Sequence, residues 1–515
     1  MISRRNALGF GAVAALGVGV GVGVGVGFGA RERSNPVEQD TTPVGGRSPG
    51  EPAVSPSATP QSEHRLTVET WRRSRRSPYF IAHRGAGAVV PEHTFPAYQR
   101  ALTWGADCLE ISVVKSLEGE LYCLHDLTLA RTTTLLGPAA SKSASQLDAA
   151  RVDVPRLGPG WSGSNRPRMP RLIDVLNSIG GSAVLCIEAK DDDAYPLILD
   201  AIAAADVVDS IMIKVDAHSP RLQQAKDDGY PVFAYIGDPA GVTATAIDGL
   251  AALLDRSRDV MVLPADADGE FLSAELIRHA VDTGIPVWVF PVARRSEVQH
   301  FAALGVEGIV TPDIGYLSRN AAQTKKDTWS RGRISAGELT LDPYSDQYGL
   351  QWDESAVVTL AATGRPAFLT LGQFCPIEAT SYRIEFEARW NSLPDDALHI
   401  VSIAFCHDDD RYYEHQSGTG DGYHGLLSQD GTIALYAHLD GRTRGQFLGD
   451  SDATPAASAG HWIRFLVEVS PERLRWGVED RPAVEVRDQR FRGGYFHIGR
   501  PATSGTLSLR HLRVQ

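Results

Sequence analysis

Between Ile81 and Asp126 the chain places two histidines, an arginine and two acids at the ends of short apolar runs. His83 and Arg84 close the run Phe80-Ile81-Ala82, Glu110 sits within Cys108 to Val114, and His125-Asp126 closes Leu121 to Leu124. Imidazole titrates near neutrality, so His83 and His125 suit a pair of proton transfers. Arg84 offers a planar fork of donors to an oxyanion, and Glu92 is the obvious carboxylate to orient it. Glu110 and Ser112 are two apart and share one face of a strand; Glu188 and Lys190 do the same on a later strand. Two carboxylates from different strands that meet at one point make an oxygen-rich pocket for a hard divalent cation, Mg²⁺ or Ca²⁺. The plainer readings are hydrogen-bonded core histidines and a mixed-charge strand face.

These residues need a frame that gathers strand ends. Apolar runs bounded by Gly, Pro and charge predict strands at 80–83, 107–114, 121–125, 183–189, 210–215, 231–235, 259–263, 286–290 and 308–311. Helical patterns separate most of them, at 94–103, 172–179, 219–228 and 273–283. Strand–helix alternation of this length predicts an α/β fold, a (β/α)₈ barrel with its site at one mouth. Nine candidates compete for eight places. The link from Val114 to Leu121 is too short for a parallel crossover, so a local hairpin is expected there. Cys108 and Cys123 alternate with Glu110 and His125 and are expected to face the barrel interior as small hydrophobes.

The order of the motifs carries a resemblance. His83-Arg84-Gly85, Pro91-Glu92-His93-Thr94, Gly105-Ala106-Asp107, Glu110 and His125-Asp126 resemble the HRG, PENT, GAD-x-x-E-x-D and HD signatures of the glycerophosphodiester phosphodiesterase family. Arg131-Thr132-Thr133, Met169 to Leu172, Ile187 to Lys190, Val287-Trp288 and Gly308 to Thr311 continue the match in order. The resemblance implies His83 and His125 as general acid and base, with neither assigned to either task. It also implies Arg84 and Lys190 on the phosphate, and Glu110 and Glu188 on a divalent cation. Glu92, Asp126 and Trp288 would support them, although aromatic filling of the barrel explains Trp288 equally well. Three positions depart from the family. Its second metal carboxylate falls on Ser112, the Asn of PENT on His93, and the serine of a later strand on Lys214. Losing a carboxylate at Ser112 is expected to weaken cation binding.

The remaining chain divides by composition. Ser3-Arg4-Arg5 before an apolar Gly/Val/Ala stretch reads as a twin-arginine export signal over 1–30, with an uncleaved anchor as the second reading. Residues 31–76 read as a Pro/Ser/Gly-rich linker, 77–320 as the barrel and 321–333 as a second linker. From 334 to 515 helical periodicity gives way to alternation at period two, and Asp430-Gly431 and Asp440-Gly441 are hairpin signals. This predicts an all-β sandwich, weakly similar at its end to concanavalin- and laminin-G-like jelly rolls. His407 to Asp410 reads as a solvated turn, with a calcium loop as the alternative. Five cysteines are too few for a disulfide scaffold, although Cys375 and Cys406 remain a candidate pair. The net charge of −13 argues against nucleic acid as a partner.

The expectation is therefore an exported, extracellular or membrane-facing hydrolase of small or lipid-derived phosphodiesters. Its sandwich would contact glycan or cell envelope. The alternatives are a phospholipase D-like phosphodiesterase of the same superfamily and a non-catalytic phosphodiester- or envelope-binding protein, since Ser112 replaces an acid.

Overall fold

The computed structural model describes residues 65–318 and 350–515, apart from 268–269, 354–356, 365–366, 371–378, 396–398, 409, 411–420, 440–444 and 453–457. The expected export signal, most of the expected first linker, the expected second linker, Cys375 and the Asp440-Gly441 pair lie outside the described residues.

The barrel strands are β1 (Tyr79–Ala82), β2 (Cys108–Lys115), β3 (Leu121–Cys123), β4 (Val184–Ala189), β5 (Ile211–Asp216), β6 (Val232–Tyr235) and β7 (Val260–Pro264). A two-stranded ribbon follows, β8 (Asp266–Ala267) with β9 (Glu270–Phe271), and then β10 (Val287–Phe290) and β11 (Gly308–Thr311). Parallel pairing runs β1-β11-β10-β7-β6-β5-β4-β2, and β1 also pairs with β2, which closes eight strands into a barrel. The ninth candidate is β3. It pairs antiparallel with β2, so the short link is a hairpin, as its length requires.

The described helices are α1 (Val68–Ser74), α2 (Phe95–Thr103), α3 (Ala144–Ala149), α4 (Leu172–Ile179), α5 (Ala194–Ala204), α6 (Arg221–Asp227), α7 (Ala244–Ala251), α8 (Ala274–Asp282), α9 (Arg295–Ala303) and α10 (Ile314–Ser318). Start signals in the sequence explain their positions. The Thr94 hydroxyl accepts from the Ala97 amide and caps α2, whose first turn carries Pro96.

Strand alternation sorts the side chains into two shells. Leu109, Ile111 and Val113 of β2 face the helices, with Leu185, Ile187, Ile213 and Val215 from its neighbours. Ile81, Cys108, Val184, Cys186, Met212, Phe233, Val262, Trp288 and Val310 fill the interior. Continuing each inward row two residues toward the strand's C-terminal end gives Glu110, Glu188, Lys214 and Tyr235. The barrel's apolar plug therefore ends in a polar layer, which is the floor of the site.

Two antiparallel sheets follow. One comprises β12 (Leu350–Trp352), β13 (Val358–Leu360), β15 (Tyr382–Ser392), β20 (Trp462–Val469), β21 (Arg473–Val478), β22 (Val484–Arg487) and β24 (Thr506–Val514). The other comprises β14 (Ala367–Thr370), β16 (His399–His407), β17 (Gly422–Ser428), β18 (Ile433–His438), β19 (Gln446–Ser451) and β23 (Tyr495–Arg500). Phe386, Phe465 and Trp476 from the first sheet and Ile403, Phe405 and Leu427 from the second belong to one apolar cluster. The Trp476 indole donates to the Leu426 carbonyl across them at 3.3 Å. Asp430-Gly431 makes the β17–β18 turn, with Gly431 at φ 92°.

Barrel and sheets form one compact unit. The same cluster extends to Val89, Leu129 and Leu157 of the barrel's loops. Asp410 is not in a solvated turn. It is buried, and its carboxylate accepts from the Arg295 and Ser296 amides at the start of α9 (2.5 and 3.1 Å) and from the Tyr316 hydroxyl at 2.7 Å. An acid from the β-rich region thus caps a barrel helix. The Cys406 thiol is free and contacts the Tyr382 hydroxyl at 3.0 Å. Cys123 packs in the shell between strands and helices rather than in the interior, because it pairs with Val113 across the hairpin and shares that residue's helix-facing side.

Candidate active site

His83 and Arg84 follow β1 directly. Arg84 has φ 56°, an uncommon backbone for a side-chain-bearing residue, and this turn aims its amide at Glu110 Oε2, 2.8 Å away. Gly85 must be glycine. It has φ 77°, and a Cβ there would lie 2.9 Å from the Ala97 side chain. His93 closes the same loop at φ 53°, a region in which Asn, Asp and His are enriched, so the change from Asn is conformationally tolerated. Its Nδ1 meets the Tyr98 hydroxyl at 3.1 Å. Burial holds His93 at a pKa of about 3, and it acts as a neutral structural group.

Glu92 is buried and binds two arginines. Its Oε1 accepts from Arg84 at 3.1 Å and from Arg131 at 2.7 Å, while Oε2 accepts from Arg131 at 3.0 Å. Burial pushes the Glu92 carboxyl up, but the two guanidinium groups outweigh it and hold it well below the usual range. Arg131 also donates to Asp126 at 2.6 Å, and Asp126 in turn accepts from His125 Nδ1 at 2.7 Å. The chain His125–Asp126–Arg131–Glu92–Arg84 joins the two histidine-bearing segments. Sequence reasoning gave Arg131 no role; its place in the RTT triplet five residues after Asp126 was the available signal.

An ionised carboxylate can only accept, and Asp126 is held well below its ordinary range despite burial, by His125 and Arg131. The proton on His125 therefore sits at Nδ1, and Nε2 carries the lone pair. Lys190 Nζ lies 3.5 Å from that Nε2 and 3.0 Å from Glu188 Oε1. Burial lowers the pKa of His125, and Asp126 restores only part of it. His83 is lowered further, again chiefly by burial, with Glu110 Oε2 3.7 Å away acting in the opposite sense. Both imidazoles are neutral near pH 7.

The polar layer holds an unexpected cation. Lys214 Nζ lies 2.6 Å from Glu110 Oε1 and 2.9 Å from Glu188 Oε2, between the two residues expected to ligate a metal. Burial opposes its charge, but the two carboxylates overcome this and raise its pKa. Ser112 donates to Glu188 Oε2 at 3.2 Å, and the Tyr235 hydroxyl donates to Oε1 at 2.9 Å. Four acids (Glu92, Glu110, Asp126, Glu188) are matched by four bases (Arg84, Arg131, Lys190, Lys214). Among the described residues no group of three or more His, Cys, Asp or Glu stands in metal-ligating arrangement.

A cavity of about 340 Å³ opens onto this layer, lined by His125, Asp126, Glu188, Lys190, Lys214, Arg221 and Tyr235 among others. His83, Arg84 and Glu110 are buried beside it. Trp288 is elsewhere. It lies level with Gly308 and, through it, with Tyr79 at the start of β1, donates to the Tyr79 hydroxyl at 2.8 Å, and packs edge-on against Trp71 and Phe233. It plugs the lower barrel.

The Glycerophosphoryl diester phosphodiesterase family model matches residues 83–316. The barrel domain is similar to this family over that span. A glycerophosphodiester phosphodiesterase of Bacillus subtilis is 25% identical over 252 residues, covering 45% of this chain and 84% of the relative. That of Caldanaerobacter subterraneus is 27% identical over 242 residues, covering 45% and 93%. Among solved structures, an Oleispira antarctica phosphodiesterase in complex with the product sn-glycerol-3-phosphate is 17% identical at TM-score 0.40, covering 47% of this chain and 96% of that one. The glycerophosphodiester phosphodiesterase of Agrobacterium tumefaciens gives 23% and 0.35, covering 46% and 98%.

Proposed function

We propose that the chain is an exported phosphodiesterase that hydrolyses glycerophosphodiesters to glycerol phosphate and an alcohol. The observation that carries this is the pair of family histidines at neighbouring strand ends, one of them lining a cavity with two lysines. Hydrolysis of a phosphodiester needs its anion neutralised, a water deprotonated and the departing oxygen protonated. Lys190 and Arg84 supply positive charge for the phosphate oxygens. His125 Nε2, unprotonated and at the cavity, takes the proton from water as the new oxygen–phosphorus bond forms. His83 rests neutral, so it must first take up a proton from solvent, with Glu110 3.7 Å away to hold the charge, and it then donates that proton to the alcohol oxygen as the old bond breaks.

The divalent cation implied by the family motif does not fit these residues. Glu110 and Glu188, its expected ligands, already share the Lys214 ammonium, and Ser112 brings no charge. No step is therefore assigned to a metal. Export by the twin-arginine route rests on Arg4 and Arg5, and contact with glycan or envelope is assigned to the β-rich region.

The test is an assay of the purified full chain on glycerophosphocholine and on lipid and teichoic-acid fragments. Release of glycerol phosphate is expected. Saturable binding without release would instead identify a phosphodiester-binding protein.

A further inference from the structure

Two departures from the family motif are one change. The strand position expected to carry a second acidic ligand is Ser112, and a later strand's serine is Lys214. They meet in space: Ser112 Oγ and Lys214 Nζ both bind Glu188 Oε2, at 3.2 and 2.9 Å. We propose that the Lys214 ammonium permanently takes the place of the divalent cation, so that this phosphodiesterase works without a metal. The inference deepens the hydrolase reading and rests on it for its catalytic part.

Geometry and charge both support the replacement. Oxygen ligands hold Mg²⁺ at about 2.0–2.1 Å and Ca²⁺ at about 2.3–2.6 Å. Lys214 Nζ lies 2.6 and 2.9 Å from one oxygen of each carboxylate, the point a bridging cation would occupy. A metal and the ammonium therefore compete for one position. Three carboxylates with a divalent cation sum to −1, and two carboxylates with one lysine also sum to −1. Losing an acid at Ser112 and gaining a base at Lys214 thus preserves the charge that the phosphate meets. Rigidity supports it further. Lys214 is buried, the Tyr235 and Phe233 rings lie 5.0 and 5.7 Å from its Nζ, and Tyr235 is itself fixed to Glu188. An ammonium has three donors, and two are used on the carboxylates. Lys214 also lines the cavity, so the third is available to a substrate oxygen.

The experiment uses the full chain, with titration calorimetry of MgCl₂ and CaCl₂ alongside glycerophosphocholine hydrolysis in the presence and absence of EDTA. Wild type is expected to show no saturable metal binding and a rate changed less than about twofold by chelator. Ser112→Asp with Lys214→Ser should bind one of the two metals at least about tenfold more tightly than wild type, because it restores an acid and removes the competing cation. Its hydrolysis should become chelator-sensitive. Tight Mg²⁺ or Ca²⁺ binding by wild type, with activity lost to EDTA and restored by the metal, would overturn the proposal. A folded double variant that binds no more tightly would overturn it too. If wild type fails to cleave glycerophosphocholine, the hydrolase reading is what fails, while calorimetry on the same sample still decides whether Lys214 excludes the metal.

Discussion

His125 and His83 occupy different surroundings, and the difference sets what each can do. His125 is fixed by Asp126 with its lone pair toward the cavity, whereas His83 is buried beside Glu110. His83→Ala and His125→Ala should each lower turnover by about 10²–10⁴ while the thermal unfolding curve stays close to wild type. Retention of activity in both would remove the mechanism. The pH profile gives a second check. Burial lowers the pKa of His125, so the neutral base persists below the ordinary histidine range and is lost only as pH falls through the depressed value. The acid limb of kcat/KM should therefore lie below pH ~6.5. A limb at or above that value would mean that another group is titrating.

At the scale of elements, the barrel is built by adjusting strand rows to one another. β11 passes β10 with Gly308 against the Trp288 ring, where a Cβ would come within 2.4 Å of the indole. Trp288 cannot retreat easily, since Trp71, Tyr79 and Phe233 pack around it at centroid distances of 6.0, 5.9 and 5.3 Å. Gly308→Ala should cost about 1–3 kcal/mol by overpacking, read as a lower urea midpoint at unchanged slope. An unchanged midpoint would show that the indole reseats freely. The β2–β3 hairpin has a different task. It turns the chain back so that His125 reaches the mouth, and the long excursion from Leu124 to Arg171 then brings Arg131 under Glu92.

For the whole molecule, the β-rich region is more than a bead on a tether. Its apolar cluster runs into the barrel's loops, and Asp410 satisfies two amides at the start of α9, 114 residues or more away in sequence. Asp410→Ala leaves those amides and the Tyr316 hydroxyl without their acceptor, which should cost about 1–3 kcal/mol. Thermal denaturation followed by near-ultraviolet signals should show the loss, and an unshifted transition would mean that water replaces the carboxylate. The proposed export belongs to this scale as well. Arg4→Lys with Arg5→Lys should trap the precursor inside the cell, because the paired arginines are read as an address. Undiminished export would point to the general secretory route.

The sequence by itself determined the strands, their inward rows and the histidine pair. Each follows from local spacing: period two fixes which side chains share a face, and apolar runs fix where strands stop. On that basis Glu110, Ser112, Glu188 and Lys190 were legible as neighbours in pairs. Barrel closure decided the rest. Lys214 meets Glu110 across β4, so their contact depends on strand order and stagger, which no single strand encodes. Trp288 shares its strand with a residue near the mouth, yet register places it low, as filling. Arg131 and Asp410 arrive from a loop and from another sheet, where sequence distance carries no information about proximity. Long-range electrostatic pairing is selected only after the backbone has closed, which is why the cation that balances this site appeared with the fold.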